Sequence, residues 1–174
     1  MNKKIYLAGP DVFRSDANAY FEILKDICKK YGYIGLSPFD NENFNGKLFS
    51  KYHSVSIFNS NFNLIKECDI VIANLIPFRG PNVDDGTAWE IGCAFTLNKV
   101  IYGYTETFNQ TLKQKTYNNF DLKNQPEFNL IESFGINSVN LMIQESIELS
   151  GGCIARNFKD CILYDFNKNK LINE

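Results

Sequence analysis

The sequence predicts an α/β fold: one doubly wound parallel sheet of about five strands, with helices on both faces. Three observations carry that expectation. Short apolar runs alternate with stretches of helical periodicity from residue 4 to about residue 104. The run Asp69-Ile70-Val71-Ile72-Ala73-Asn74-Leu75 is nearly all apolar, as expected of a strand covered on both faces. The chain's 174 residues show neither an internal repeat nor a clean domain boundary, so residues 1–174 are read as one domain.

Lys4-Ile5-Tyr6-Leu7-Ala8 forms the first strand, stopped by Gly9-Pro10. A helix follows, with Asp16 as N-cap and Tyr20, Phe21, Leu24, Ile27, Cys28 and Tyr31 at helical spacing; Gly32 ends it. Tyr33-Ile34-Gly35-Leu36 is the second strand, closed by Ser37-Pro38. Residues 40 to 53 are polar and Asn-rich, which predicts a long loop on the rim. Ile57, Phe58, Leu64, Ile65 and Cys68 place a helix over about Ser54 to Cys68, ahead of the strand at Asp69. A turn-rich loop, Pro77 to Gly86, enters a helix from Thr87 to Leu97, and Val100-Ile101-Tyr102-Gly103-Tyr104 is the fourth strand. Residues 105 to 130 carry no assignable element. A helix over about Ser138 to Leu149 ends at Gly151-Gly152, and Cys161-Ile162-Leu163-Tyr164 is the candidate fifth strand. Such alternation implies right-handed crossovers and a Rossmann- or flavodoxin-like sheet.

Composition narrows the chemistry. Eighteen Lys and Arg against twenty Asp and Glu leave a net charge of −2, without the basic field a nucleic-acid binder needs. No apolar run reaches the roughly 18 residues required to span a bilayer. The N-terminus begins like a signal peptide, but Asp11 and Arg14 interrupt its apolar stretch, so a cytoplasmic location is expected. The five cysteines contain no CxxC pair and are read as reduced thiols, with Cys28, Cys68 and Cys93 in apolar surroundings. With His53 the only histidine, neither a His-based triad nor a His/Cys metal site is expected. Carboxylates, tyrosines and amides remain as the chain's chemical tools.

Ligands of an open α/β sheet sit beyond the carboxyl ends of its strands, so three loops matter: Gly9 to Asp16, Pro38 to His53, and Pro77 to Gly86. None carries GxGxxG, and no GxxxxGK[ST] occurs anywhere, which leaves a dinucleotide or P-loop cradle unsupported. The third loop places Asp84 and Asp85 at a helix entrance and Glu90 in the first turn, where backbone N–H groups favour an ionised carboxylate. From these residues alone two readings stand. One makes Asp84 or Asp85 an N-cap and Glu90 a partner of the helix dipole; the other makes Glu90 a nucleophile facing a pocket.

Four segments carry a resemblance. They are Ile5-Tyr6-Leu7-Ala8-Gly9-Pro10-Asp11-Val12-Phe13, the Asp69–Leu75 strand, Pro77-Phe78-Arg79-Gly80-Pro81, and Asp84-x-Gly86-Thr87-Ala88-x-Glu90-x-Gly92. Together the chain resembles the nucleoside 2-deoxyribosyltransferase family, from residue 4 to about 104 and again at Asn140-Leu141-Met142. The resemblance implies exchange of the base of a 2′-deoxynucleoside, in nucleoside salvage, through a covalent deoxyribosyl-enzyme on Glu90, with retention and with no cofactor or metal. It implies that Tyr6 hydrogen-bonds the nucleophile and that Asp84 helps hold base and sugar. Gly9, Asp11, Phe13 and Gly86 would line the same mouth, Phe13 by stacking on the base. Asp40 and Glu42 fall in the base-facing segment, with a solvated loop acid an equal reading for Glu42. Asn61 stands where several relatives carry a proton-passing aspartate; an amide can hydrogen-bond a base but carries protons poorly. Asn140 matches a residue lent to the neighbouring subunit, which implies a homo-oligomer of two or more copies, although Val139, Met142, Ile143 and Ile147 could equally serve an intrachain core.

Three rival readings stay open. A nucleoside 5′-monophosphate N-glycosidase would need phosphate donors, for which Ser138 and Arg156 are candidates. A phosphoribohydrolase with a PGGxGTxxE motif overlaps Gly86 to Glu90, but Asn82 to Asp85 replace its diglycine. A nucleotide-sensing module without catalysis would have no need to keep Tyr6, Asp84 and Glu90 together.

Overall fold

The computed structural model describes residues 2–40, 51–119, 127, 130–132 and 137–172. Five parallel strands, β1 (Lys4–Ala8), β2 (Ile34–Leu36), β3 (Ile70–Asn74), β4 (Val100–Tyr104) and β5 (Ile154–Ala155), form one sheet in the order β2-β1-β3-β4-β5. That is the flavodoxin-like order of a doubly wound sheet, with its switch point between β1 and β3. Tyr6 of β1 lies beside Val71 of β3, which lies beside Ile101 of β4. This register sends all three side chains to one face.

Two apolar cores follow from the alternation. On one face Ile5, Leu7, Ile70, Ile72 and Tyr102 pack against α1 (Ala17–Lys30) and α6 (Phe158–Ile172). On the other, Tyr6, Ala8, Val71, Ala73 and Ile101 meet α2 (Lys51–Glu67), α3 (Asp85–Thr96) and α5 (Leu141–Leu149). None of the described helices is long and apolar enough to cross a membrane. Cys28 and Cys68 are buried as expected, while Cys93 is only partly so; all five thiols are free.

Several elements differ from the expectation. Cys161 to Tyr164 are not a strand but the second turn of α6. Asn157 caps that helix by accepting from the Asp160 N–H at 3.0 Å, and Phe158, Cys161 and Ile162 bury one helical stripe while Tyr164 is 58% exposed. The fifth strand is instead Ile154–Ala155, a run too short to show a period. Residues 51 to 53 belong to α2 rather than to a loop, Asp40 ends a short 3-10 turn, Pro38–Asp40, and residues 41–50, including Glu42, lie outside the described residues. α5 starts at Leu141, not Ser138, because Asn140 caps it. Within the unassigned stretch 105–130, Leu112–Asn119 form α4. Its entrance is a capping box: Thr111 Oγ1 accepts from the Gln114 N–H at 3.2 Å, and Gln114 Oε1 accepts from the Thr111 N–H at 2.8 Å. Asp16 begins α1 without capping it, since its carboxylate is held by Arg14 at 2.8 and 3.0 Å.

Gly152 fixes how β5 is delivered to the sheet. A Cβ there would fall 1.7 Å from the Ile101 carbonyl oxygen, a backbone atom of β4 that cannot swing aside. Gly152→Ala is therefore expected to destabilise the fold by about 2–3 kcal/mol or more, read as a lowered urea midpoint. A midpoint equal to wild type would show that β5 and β4 can separate without cost.

Candidate active site

The loop after β3 ends in a helix cap. Asp84 has extended backbone angles (φ −60°, ψ 137°), and its Oδ2 accepts from the Thr87 N–H at 3.0 Å and the Thr87 hydroxyl at 3.2 Å. A Cβ on Gly86 would stand 3.0 Å from that same oxygen, so glycine lets the cap close tightly. With α3 opening at Asp85, Glu90 falls in its second turn rather than its first. The free N–H groups expected beside it lie further back along the axis.

Glu90 points to the sheet face that Tyr6 also faces. The fully buried Tyr6 hydroxyl donates to Glu90 Oε1 at 2.5 Å. Burial, then the negative charge of Glu90, push the Tyr6 phenol well above its ordinary range, so it stays a neutral donor. Glu90 itself is pushed up to about 7: burial raises it, the Tyr6 hydrogen bond lowers it, and the Asp84 charge raises it. Loss of water thus outweighs the helix dipole that the sequence suggested would keep it ionised.

A cavity of about 320 Å³ opens in front of Glu90, lined by Phe58 and Asn61 of α2 and by Gly86, Trp89 and Glu90 of α3. Asn61 Oδ1 is buried without a hydrogen-bond partner among the described residues. An orphaned amide oxygen costs roughly 1–3 kcal/mol, which a ligand or water donor would relieve. Phe58, Phe62 and Trp89 form an aromatic wall, with ring centroids 5.1 to 6.3 Å apart. The sequence reading missed this wall. Its signal was Phe58 and Phe62 one helical turn apart, and Trp89 next to Glu90.

Other candidate residues stand elsewhere. Gly9 has φ +154°, and a Cβ there would fall 2.8 Å from Asn74 Cβ, so the turn after β1 presses against β3. Asp11 is buried, accepts from Asn74 Nδ2 at 2.9 Å, and has its carboxyl raised by burial. Phe13 is 60% exposed and stacks on Phe78 with centroids 5.4 Å apart, the Arg79 guanidinium lying over both rings. Asp40 accepts from the Ser37 N–H at 2.7 Å and from Lys25, closing its own turn. Asn140 accepts from the Met142 N–H at 3.0 Å and donates to Glu132 at 3.2 Å. The structure therefore gathers Glu90, Asn61 and Gly86 around one cavity, with Tyr6 and Asp84 attached to it. Gly9, Asp11, Phe13, Asp40 and Asn140 do not line that cavity. Among the described residues no cluster of three His, Cys, Asp or Glu stands ready for a metal ion.

This fold and cavity define a Rossmann-like α/β protein with a candidate site whose cavity holds a single partly buried carboxylate, Glu90. Its family is shown by comparison. A family model described as nucleoside 2-deoxyribosyltransferase matches residues 5–159, and the chain belongs to that family. Among solved structures it is similar to a 2-desoxiribosyltransferase from Leishmania mexicana, at 28% identity and TM-score 0.70, covering 95% of this chain and 97% of that one. A 2-deoxyribosyltransferase from Bacillus psychrosaccharolyticus shares the fold at 22% identity and TM-score 0.61, covering 95% and 94%. An uncharacterised Schizosaccharomyces pombe protein is 39% identical over 103 residues, which are 58% of this chain and about half (49%) of that protein.

Two consequences of the carboxylate's environment are measurable. Burial pushes folded Glu90 up to about 7, from the 4.5 of a freely solvated glutamate. Between those values the folded chain holds more protons than the unfolded one, so this group's contribution to stability falls as pH rises through that window. The full difference is about 3 kcal/mol. Glu90→Gln should thus be more stable than wild type at pH 8 and nearly equal to it at pH 4.5, by urea unfolding; a constant difference across pH would refute the assignment. Tyr6→Phe should raise the Glu90 titration and Asp84→Asn, which keeps a cap but drops the charge, should lower it, both followed by carboxyl carbon NMR. Shifts of the same sign in both variants would contradict the stated causes.

Proposed function

We propose that the protein exchanges the base of 2′-deoxynucleosides through a covalent deoxyribosyl ester on Glu90. The observation that carries this reading is the 2.5 Å hydrogen bond from Tyr6 to Oε1 of a carboxylate lining a cavity. Tyr6 holds one oxygen and fixes the rotamer, which leaves Oε2 to attack the anomeric carbon while the glycosidic bond to the base breaks. A second base then displaces the ester from the opposite side. Two displacements on one carbon retain configuration. The ionised form of Glu90 is the reactive one, so activity should rise through about pH 7.

The sugar's lack of a 2′-hydroxyl suits the mechanism, because an oxocarbenium-like transition state is less destabilised without that electron-withdrawing group. Phe58 and Trp89 offer flat apolar surface to a base, and Asn61 an amide for its edge. Asn61 cannot carry a proton near neutral pH, and Oδ2 of Asp84 is engaged by Thr87. Protonation of the departing base is therefore assigned to water or to Asp84 through its other oxygen, Oδ1. Arg156, the arginine that a 5′-monophosphate substrate would call on, lies on the α1/α6 side of the sheet, which favours a nucleoside over its phosphate. Site completion by a second copy through Asn140 is supported by Met142 and Leu149, 69% and 73% exposed apolar side chains near the two ends of α5, the helix that Asn140 caps.

Incubation with deoxyinosine and free adenine should give deoxyadenosine by chromatography, with hypoxanthine released in equal amount. Free deoxyribose alone would indicate a hydrolase, and turnover confined to a 5′-monophosphate would overturn the nucleoside reading. Glu90→Ala should lower kcat by about 10⁴-fold or more while the protein stays folded. Tyr6→Phe, which removes a positioning contact, should cost roughly 10- to 100-fold.

A further inference from the structure

Across the sheet from Glu90 lies a second cleft, of about 480 Å³, that base exchange does not use. Its floor is polar: Asn74 and Tyr104 at the carboxyl ends of β3 and β4, with Asp11 from the turn after β1. Its walls are apolar, with Ile23 and Ile27 of α1 facing Phe158 at the start of α6. Cleft and floor together occupy the crevice where open α/β sheets take ligands, on the face opposite the aromatic wall.

The rim sets the sign of the ligand. It carries three cations, Arg14, Arg156 and Lys159, against one carboxylate, Glu106. Arg14 is already held by Asp16 at 2.8 Å. Arg156 and Lys159 form no ion pair among the described residues; the Arg156 guanidinium sits 5.3 Å from the Phe108 ring centroid. They stand three residues apart where the 15-residue α6 begins, so the positive end of its dipole adds to their field. Asp11, the acid on the floor, does not neutralise them: Asn74 and the Tyr104 hydroxyl hold it, and burial shifts it towards its protonated form.

We propose that this cleft binds a small organic phosphate monoester, with the phosphate between Arg156 and Lys159 and a planar or apolar body between α1 and Phe158. An inorganic anion would leave the apolar walls empty, and an uncharged nucleoside would leave both cations without a partner. The site is separate from the nucleoside cavity and does not depend on the base-exchange reading.

The test is a calorimetric titration of the purified 174-residue chain with adenosine 5′-monophosphate, with adenosine and inorganic phosphate as parallel probes. Adenosine 5′-monophosphate should bind wild type at least tenfold more tightly than inorganic phosphate. The double variant Arg156→Ala/Lys159→Ala, whose side chains are exposed, should keep the wild-type melting temperature and bind the nucleotide at least tenfold more weakly. Trp89→Ala, in the other cavity, should leave nucleotide affinity unchanged. The proposal fails if the nucleotide does not bind, if the double variant binds it as wild type does, or if Trp89→Ala abolishes binding. Base exchange is not read in this experiment, so its presence or absence leaves the outcome intact.

Discussion

A carboxylate taken out of water next to another carboxylate resists ionisation, and the chemistry of this fold depends on how far that resistance is offset. Among the described residues Glu90 has one compensating contact, the phenol of Tyr6, and one opposing charge, Asp84. Every larger feature of the site serves that balance. β1 must lie between two strands, β2 and β3, for Tyr6 to be wholly buried, and the register of β1 on β3 must send it to the α3 side. The cap at Asp84 sets the rotation of α3, and with it the direction in which Glu90 points.

In the proposed reaction this arrangement trades stability for reactivity. A buried acid that titrates near neutrality weakens the fold in the ionised state, and it is that state which can attack an electrophilic carbon. The Asn61 oxygen, unpaired among the described residues, adds a second local deficit at the same cavity. Both are the kind of inconsistency that a sequence selected only for folding would remove.

Most of the sheet was legible because its central strands are buried on both faces and so are written as apolar runs; β1, β3 and β4 fall within a residue of their expected limits. The end of the chain was not. β5 has two residues and no pattern, whereas Cys161-Ile162-Leu163-Tyr164 looks like a strand until Asn157 is recognised as a helix cap. α4 was hidden for the opposite reason. Its residues are polar, and only the Thr111-x-x-Gln114 box marks its start. At the site, Tyr6, Asp84 and Glu90 were legible as a motif, but the acid strength of Glu90 was not, since it follows from desolvation by distant parts of the chain. The partners that occupy Asp11, Asp40 and Asn140 come from Asn74, Lys25 and Glu132, residues 63, 15 and 8 positions away.

Alternation along β1 ties the two sides of the molecule to one ruler. Tyr6 reaches the α3 side and Leu7 the α1 side, and the same strand then delivers Asp11 to the far crevice. Point substitutions in this segment alter one side at a time. An inserted or deleted residue would exchange inward and outward positions for all that follow, and both clefts would lose their furniture in a single step. Through evolutionary time the length of this stretch should therefore be more rigidly kept than its composition.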